Sequence, residues 1–485
     1  MKEKTVVIGA GFGGLATAAL LANEGHDVTL IEKNSGPGGR ARRLESEGFT
    51  FDMGPSWYLM PEIFEQFFEH FDKKPEDFYE LERLNPGYKL LFHDGDIKMP
   101  AAMDEIYELF DSLEKNGSDK LKQYLADAKK KYDISMDTVL YKPYDSIFDL
   151  FSFDLLRKGM TLDVFQSMEK HVNKYFDSDR AKKILQYTQV FLGGAPHNTP
   201  AVYSLMSYVD LEQGVWYPKG GMYSVVEALE SLCEDLGVNI LYQTPARSIK
   251  IAGSSPTGVQ TDHGIITAQN VVVNADYHHA ETSLLPERHR AYKESWWKKR
   301  TMAPSGFLIY LGVDKKVPEL EHHTLFLQED WTEHFKEIFD NPKWPENPSY
   351  YVCCPSKTDE GVAPPNKENM FFLVPIPSGI EDTVPVRKYY RDKILSHFEN
   401  QIDFPLRNHI EYEKIYTLDN FSEDYNAYKG TALGLAHTLF QSASFRPLQK
   451  SSKVNRLYYV GQYTHPGIGV PMTLISAENV LNRMT

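Results

Sequence analysis

The chain predicts an α/β fold: a Rossmann-like unit interleaved with a second unit that carries α+β elements. Three observations predict it. The run Thr5-Val-Val-Ile-Gly9-Ala-Gly11-Phe-Gly-Gly14 is an apolar strand that ends in a glycine turn and opens a helix. An Ala-rich helical run then leads to a second strand, Val28-Thr-Leu-Ile-Glu32, closed by an acid. Far along the chain, Arg456-Leu-Tyr-Tyr-Val-Gly461 repeats the strand-into-glycine pattern before Gly467-Ile-Gly469-Val-Pro471 and a final helix.

Each element of the first block has a physical role. Gly9 permits the tight turn, Gly11 lets the backbone approach a pyrophosphate, and Gly14 lets the helix pack on the strand. The helix N-terminus faces the phosphates with unpaired N–H groups and a positive dipole end. Glu32 stands where a carboxylate accepts from ribose hydroxyls, and it repels a 2′-phosphate, so NADP is not expected. NAD and FAD remain. Gly38-Gly39-Arg40, a second glycine turn with a cation close behind Glu32, favours FAD, whose extended shape needs contacts on both sides of the pyrophosphate. An ordinary glycine turn would lack this context. A secretory leader is rejected, since four glycines interrupt the apolar run Val6–Ala22 at fingerprint positions.

Further along, Pro61 to about Ser207 reads as aromatic-rich amphipathic helices. Trp216-Tyr-Pro-Lys219-Gly-Gly221 turns sharply into a helix from about Met222 to Leu236. Short strands follow at Val238–Tyr242, Ala246–Ile251, Gly258–Thr261 and Asn270–Asn274. A mixed segment to Ser422 holds strand-like Gly306–Leu311 and Phe371–Pro375. The expected division is residues 1–75, 215–280 and 423–485 for a discontinuous FAD-binding domain, with 76–214 and 281–422 forming a second, interleaved domain.

Composition removes several function classes. With 485 residues, the chain buries a large core. A formal net charge of −15 argues against nucleic acid and against attraction to anionic lipid. The clusters Lys129–Lys131 and Lys298–Arg300 read as solvated helix faces. Three cysteines without a CxxC argue against a disulfide framework or a zinc site. The adjacent pairs His278-His279 and His322-His323 would point to opposite faces of a strand, so no metal is expected. No apolar stretch is long enough to span a bilayer.

Taken together, the Gly9–Arg40 block, Gly193-Gly-Ala-Pro196, Gly214–Gly221, Asn274-Ala-Asp276 and Leu457–Pro471 resemble the bacterial-type phytoene desaturase family, the carotenoid branch of the amine-oxidase-like flavoproteins. The resemblance spans essentially the whole chain, and its most specific piece is His465-Pro-Gly after the last strand. It implies noncovalent FAD and dehydrogenation of a long carotenoid or other polyprenoid drawn from a membrane. It assigns the pyrophosphate to Gly9, Gly11 and Gly14, the adenosine ribose to Glu32, and added phosphate contacts to Gly39 and Arg40. Gly54 and Pro55 would pass near the flavin, Ala246 would offer backbone to adenine, and Gly461 would approach the phosphates or ribityl chain. Val470, Pro471 and Met472 would open a helix under the flavin's pyrimidine edge.

For catalysis, the sequence does not identify the proton acceptor, and Glu212 is the one side chain held as a candidate for it. The Trp216–Gly221 turn beside it reads as a structural corner. His465 reads equally as a conformation-setting residue and as a base. The expected activity is a FAD-dependent phytoene or diapophytoene dehydrogenase. The alternatives are a carotenoid ketolase or oxidase, a carotene cis–trans isomerase, and a prenyl-binding escort without redox chemistry. The expected location is cytoplasmic, peripheral on the inner face of the cell membrane. Contact would run through Ile147, Phe148, Leu150, Phe151, Phe153, Leu155 and Leu156, with core packing the alternative use of that stretch.

Overall fold

The computed structural model describes residues 2–142, 144, 162–190, 193–328 and 330–485. The apolar segment Ile147–Leu156 lies outside them. Five strands form a fully parallel sheet. They are β1 (Lys4–Ile8), β2 (Asp27–Ile31), β3 (Asn239–Leu241), β4 (Asn270–Val273) and β5 (Leu457–Tyr459), in the spatial order β5-β4-β1-β2-β3. The chain runs outward from β1 to one side and then returns to the other, so the order reverses next to β1. At such a reversal the carboxyl ends of two strands part and leave a crevice for a ligand.

The helix α1 (Phe12–Asn23) packs against α2 (Tyr223–Asp235) and α3 (Val470–Met484) in one apolar core. Its ten residues from Phe12 to Leu21 are all buried. That explains a helix built of Gly, Ala and Leu with no polar face: it is covered on all sides.

A seven-stranded mixed sheet builds the second unit. Its order is Ile410–Tyr416, Ser305–Val313, Glu368–Ile376, Tyr350–Cys353, His323–Phe326, Tyr88–Phe92 and Gly95–Met99. Side chains alternate between its faces. Phe307, Ile309, Leu311, Val352 and Phe372 pack on Tyr390, Ile394 and Phe398 of the helix Val384–Ile402. The other face, with Leu308, Tyr310, Tyr351, Cys353 and Phe371, packs on Phe110, Leu121, Tyr124 and Ile184 from helical segments.

Two expectations need correction. The stretch after Pro61 is not continuously helical: Tyr88–Phe92 and Gly95–Met99 are a hairpin of this sheet. Gly95, at φ +136°, sits in its turn. The aromatic content there serves strand packing as well as helix packing. Lys131 is not solvated: it is fully buried, with its Nζ 2.6 Å from Asp127 and 3.2 Å from Asp163.

Candidate cofactor cradle and the inner face of the second sheet

Three loops meet at the carboxyl edge of the parallel sheet. Gly9 follows β1 at φ +101°, Asn274 follows β4, and Gly461 lies just past β5, also at φ +101°. A side chain on Gly14 would come within 1.9 Å of the Gly9 carbonyl oxygen, so the first turn of α1 lies directly on the strand-end turn. The Gly38-Gly39-Arg40 turn closes onto the same loop. The Gly38 amide donates to the Ala10 carbonyl at 2.8 Å, and a Cβ on Gly39 would lie 3.3 Å from Gly11 Cα. A Cβ on Gly54 would lie 2.1 Å from the Arg40 carbonyl, which threads the segment before Pro55 through the same place.

Glu32 is buried at the end of β2. Its carboxylate accepts from the Ala10 amide at 2.9 Å and the Asn34 amide at 2.8 Å. It therefore tethers the glycine loop while its remaining lone pairs stay available to a hydroxyl. Arg40 packs on the Tyr425 ring, with Cζ 5.2 Å from the centroid, and its Nε is buried without a hydrogen-bond partner. Helices α1 and α3 begin at Gly11 and Gly469 with no side-chain cap and no acid in the first turn. Both leave amide donors and a positive dipole end for an external acceptor. Crowded glycines, an orphaned guanidinium N–H and two open helix starts fit a pyrophosphate-containing, extended dinucleotide. Val470, Pro471 and Met472 form the first turn of α3. Ala246 is half-buried at the start of the strand Ala246–Ala252 and pairs with Thr261.

Two residues that sequence reasoning passed over hold this cradle in shape. Asn274 donates from Nδ2 to the Gly9 carbonyl at 3.2 Å. Its amide also sits where a Cβ on Gly11, Gly13 or Gly461 would stand. Its place in the Asn274-Ala-Asp276 motif was the available signal. Arg446, 3 % exposed, donates to the carbonyls of Leu435, Gln441, Gln462 and Thr464 and so braces the loop after Gly461. Burial pulls its guanidinium down to about 10, still a cation at neutral pH. No motif marks it, because its partners, though only 5 to 18 residues away, are backbone carbonyls that leave no side-chain pattern to read.

The other singled-out residues fall as follows. Glu212 is exposed, on the turn Val209–Gln213. Partial burial raises its pKa against the opposing effect of Lys129. The same turn carries Asp210, which is buried and accepts from Tyr88 Oη at 2.8 Å and Tyr187 Oη at 2.9 Å; burial pushes its carboxyl up to about 7. Lys219 pairs with Glu80 at 2.6 Å on the surface, and Gly220 and Gly221 both have positive φ, as a structural corner requires. His465 is buried, and its Nε2 lies 3.0 Å and 3.1 Å from the carbonyls of Val139 and Leu140. Its Nε2–H therefore donates there, and burial lowers its pKa to about 4. His322 and His323 do not diverge as expected. Only His323 belongs to the strand, His322 precedes it, and the two ring centroids are 4.4 Å apart.

This geometry coincides with clear relatives. The sequence profile described as "Flavin containing amine oxidoreductase" matches residues 12–484. The chain belongs to that family. Carotenoid 3,4-desaturase of Haloarcula japonica is 47 % identical over 481 residues, covering 98 % of this chain and 97 % of the relative. The zeta-carotene-forming phytoene desaturase of Myxococcus xanthus is 34 % identical, covering 99 % and 94 %. Among solved structures, an oxidoreductase from Methanosarcina mazei superposes with a TM-score of 0.63 at 18 % identity, covering 99 % of this chain and all of that one. That last likeness concerns the fold alone. In this flavin-containing amine oxidoreductase the cradle's cofactor is FAD, and the chain is an oxidoreductase.

Proposed function

We propose that the protein is a FAD-dependent carotenoid desaturase, which forms a C=C bond by removing hydrogen from two adjacent carbons of a long polyprenoid. The observation that carries this reading is the 47 % identity to a carotenoid 3,4-desaturase along nearly the full length of both chains. The complete glycine cradle and Glu32 accompany it. Identity falls to 34 % for the phytoene desaturase, which favours 3,4-desaturation of a carotenoid over desaturation of phytoene.

Bound in the cradle, FAD supplies the hydride acceptor. The chain's own residues do the rest by placement. Gly9, Gly11, Gly14, Gly39 and Arg40 would hold the pyrophosphate and Glu32 the ribose. The open first turn of α3, at Val470–Met472, would favour negative charge on a flavin ring bound beside it. Holding the reacting carbons at the right distance then contributes more than any acid or base.

A substrate of this kind dissolves in a bilayer, which supports peripheral attachment to a membrane, and we take the cytoplasmic face as its side. No helix among the described residues is long and apolar enough to cross a membrane. Phe165 is 91 % exposed, and Phe440 is 69 % exposed beside Phe445. Covering such groups with lipid is favourable by about 25 cal/mol per Å². The test is incubation of the yellow, purified protein with liposomes that carry either a carotenoid saturated at the 3,4 position or phytoene, followed by chromatography. A new 3,4 double bond is expected in the first arm. Products from phytoene alone would move the assignment to phytoene. Activity in protein stripped of flavin, or no new double bond in either arm, would end the proposal.

A further inference from the structure

We propose that His322, His323 and Cys353 form a binding site for a thiophilic transition-metal ion of the zinc class on the inner face of the second sheet. His323 and Cys353 are directly opposite each other on neighbouring antiparallel strands, so their side chains share that face. His322 enters from the loop just before the strand. One imidazole nitrogen from each histidine and the Cys353 Sγ lie within 4.8 Å of one another, and all three residues are buried.

The hydrogen bonds around the site have the arrangement metal-bound imidazoles need. His322 Nδ1 is 2.8 Å from Thr358 Oγ1, and His323 Nδ1 is 2.5 Å from Tyr351 Oη. With each Nδ1–H donating to its hydroxyl oxygen, each Nε2 carries a lone pair. Both Nε2 atoms are buried without a hydrogen-bond partner. Buried polar atoms of this kind call for an occupant, and outer hydrogen bonds at Nδ1 that fix the ring and its tautomer are the usual support of a metal-binding histidine. The His323 ring is further held by stacking on Trp57, with centroids 4.2 Å apart and planes 9° from parallel.

Two imidazoles and a thiolate suit zinc, and three protein ligands leave a fourth position open. Zinc bonds of about 2.0–2.3 Å place tetrahedral ligands roughly 3.5 Å apart. Binding would therefore draw the three ligand atoms, now within 4.8 Å of one another, closer together. Binding forms two Zn–N bonds and one Zn–S bond, releases the thiol proton to solvent and changes no oxidation state. Among the described residues, a second cluster with metal-ligating groups, Asp127, Asp163 and His171, already surrounds the Lys131 ammonium, which occupies the place of a cation.

The test uses the flavin-loaded protein. Metal analysis after equilibration with Zn²⁺ and desalting should give about one zinc per chain. Replacement with Co²⁺ should produce ligand-field bands to the red of the flavin absorption, with the intensity of a tetrahedral thiolate site. Cys353→Ser and His322→Gln should lose the ion, with flavin content reporting that each variant has folded. Tyr351→Phe, which removes an outer hydrogen bond, should weaken affinity by about 10–100-fold. Zinc absent from the wild type, cobalt in octahedral coordination, or metal content unchanged in folded Cys353→Ser would each overturn the proposal. The wild-type cobalt spectrum decides the matter even if the variants do not fold.

Discussion

The parallel sheet presents backbone at its carboxyl edge, whereas the larger mixed sheet presents side chains on its inner face. At the parallel sheet, crowding does the selecting: Gly9, Gly14, Gly39 and Gly54 stand where a single carbon atom would meet main chain. At the mixed sheet, Trp57, Tyr88, Tyr187, Asp210, His323 and Tyr351 come from six separate stretches and are joined by ring contacts and hydrogen bonds. Recognition by backbone tolerates almost no substitution at a few positions. Recognition by side chains spreads over many positions, each tuned by burial.

The comparison breaks most visibly at Gly14. Gly14→Val should abolish retention of FAD through gel filtration, because a Cβ 1.9 Å from the Gly9 carbonyl forces α1 off the strand. Overpacking of this kind costs about 1–3 kcal/mol in the apoprotein, read as a fall in Tm. A yellow Gly14→Val protein would show that the close approach is not needed.

Asp210 tests the opposite region. Its folded pKa of about 7 lies above its ordinary 3.8, because burial favours the protonated form. The folded state therefore binds the extra proton. The associated stability is fully present below about pH 4 and is lost as the pH rises through 7. Asp210→Asn should remove that loss, so its Tm should gain on the wild type between pH 4 and 7, on the order of 4 kcal/mol across the window. Parallel pH profiles for the two proteins would show that burial does not govern this carboxyl.

Glu32→Gln sharpens the account of the cradle. A neutral amide keeps one acceptor for Ala10 or Asn34 but loses the charge, so FAD affinity should fall by about 1.5–3 kcal/mol, roughly 10–150-fold, with Tm of the apoprotein little changed. Flavin fluorescence titration measures it. Equal affinity would remove Glu32 from the ribose site.

The smallest effect is expected at Glu212. An exposed carboxylate on a surface turn should lower turnover by about tenfold or less when changed to Gln, short of the roughly 10²–10⁴ of a general base. Gly469→Ala should cost more, since φ +123° at the start of α3 suits only glycine and its strain would move the helix start that we propose lies beside the flavin. Turnover at equal flavin occupancy compares them. A thousandfold loss in Glu212→Gln would restore it as the proton acceptor.

What could be read from the chain alone was whatever backbone geometry dictates over a short span. A strand, three spaced glycines, an apolar helix and a terminal acid are local, and Gly14 is required by its approach to Gly9, although the crowding at Gly9 and Gly11 comes from distant Asn274. The parallel sheet, α1 and the start of α3 were legible for that reason. The hairpin Tyr88–Met99 was not, because aromatic residues serve strands and helices alike and only pairing with His323–Phe326 makes it part of a sheet. Lys131 read as solvated, and its burial depends on Asp163 arriving from another segment. The His322-His323 pair read as divergent under strand geometry, and the strand's starting point reversed that. Asn274 was marked only by its motif, its contact with Gly9 coming from 265 residues away, while Arg446 and the His–His–Cys cluster were decided by tertiary structure alone. Cys353 comes opposite His323 only through strand pairing, and Arg446 binds backbone carbonyls that leave no side-chain pattern to read.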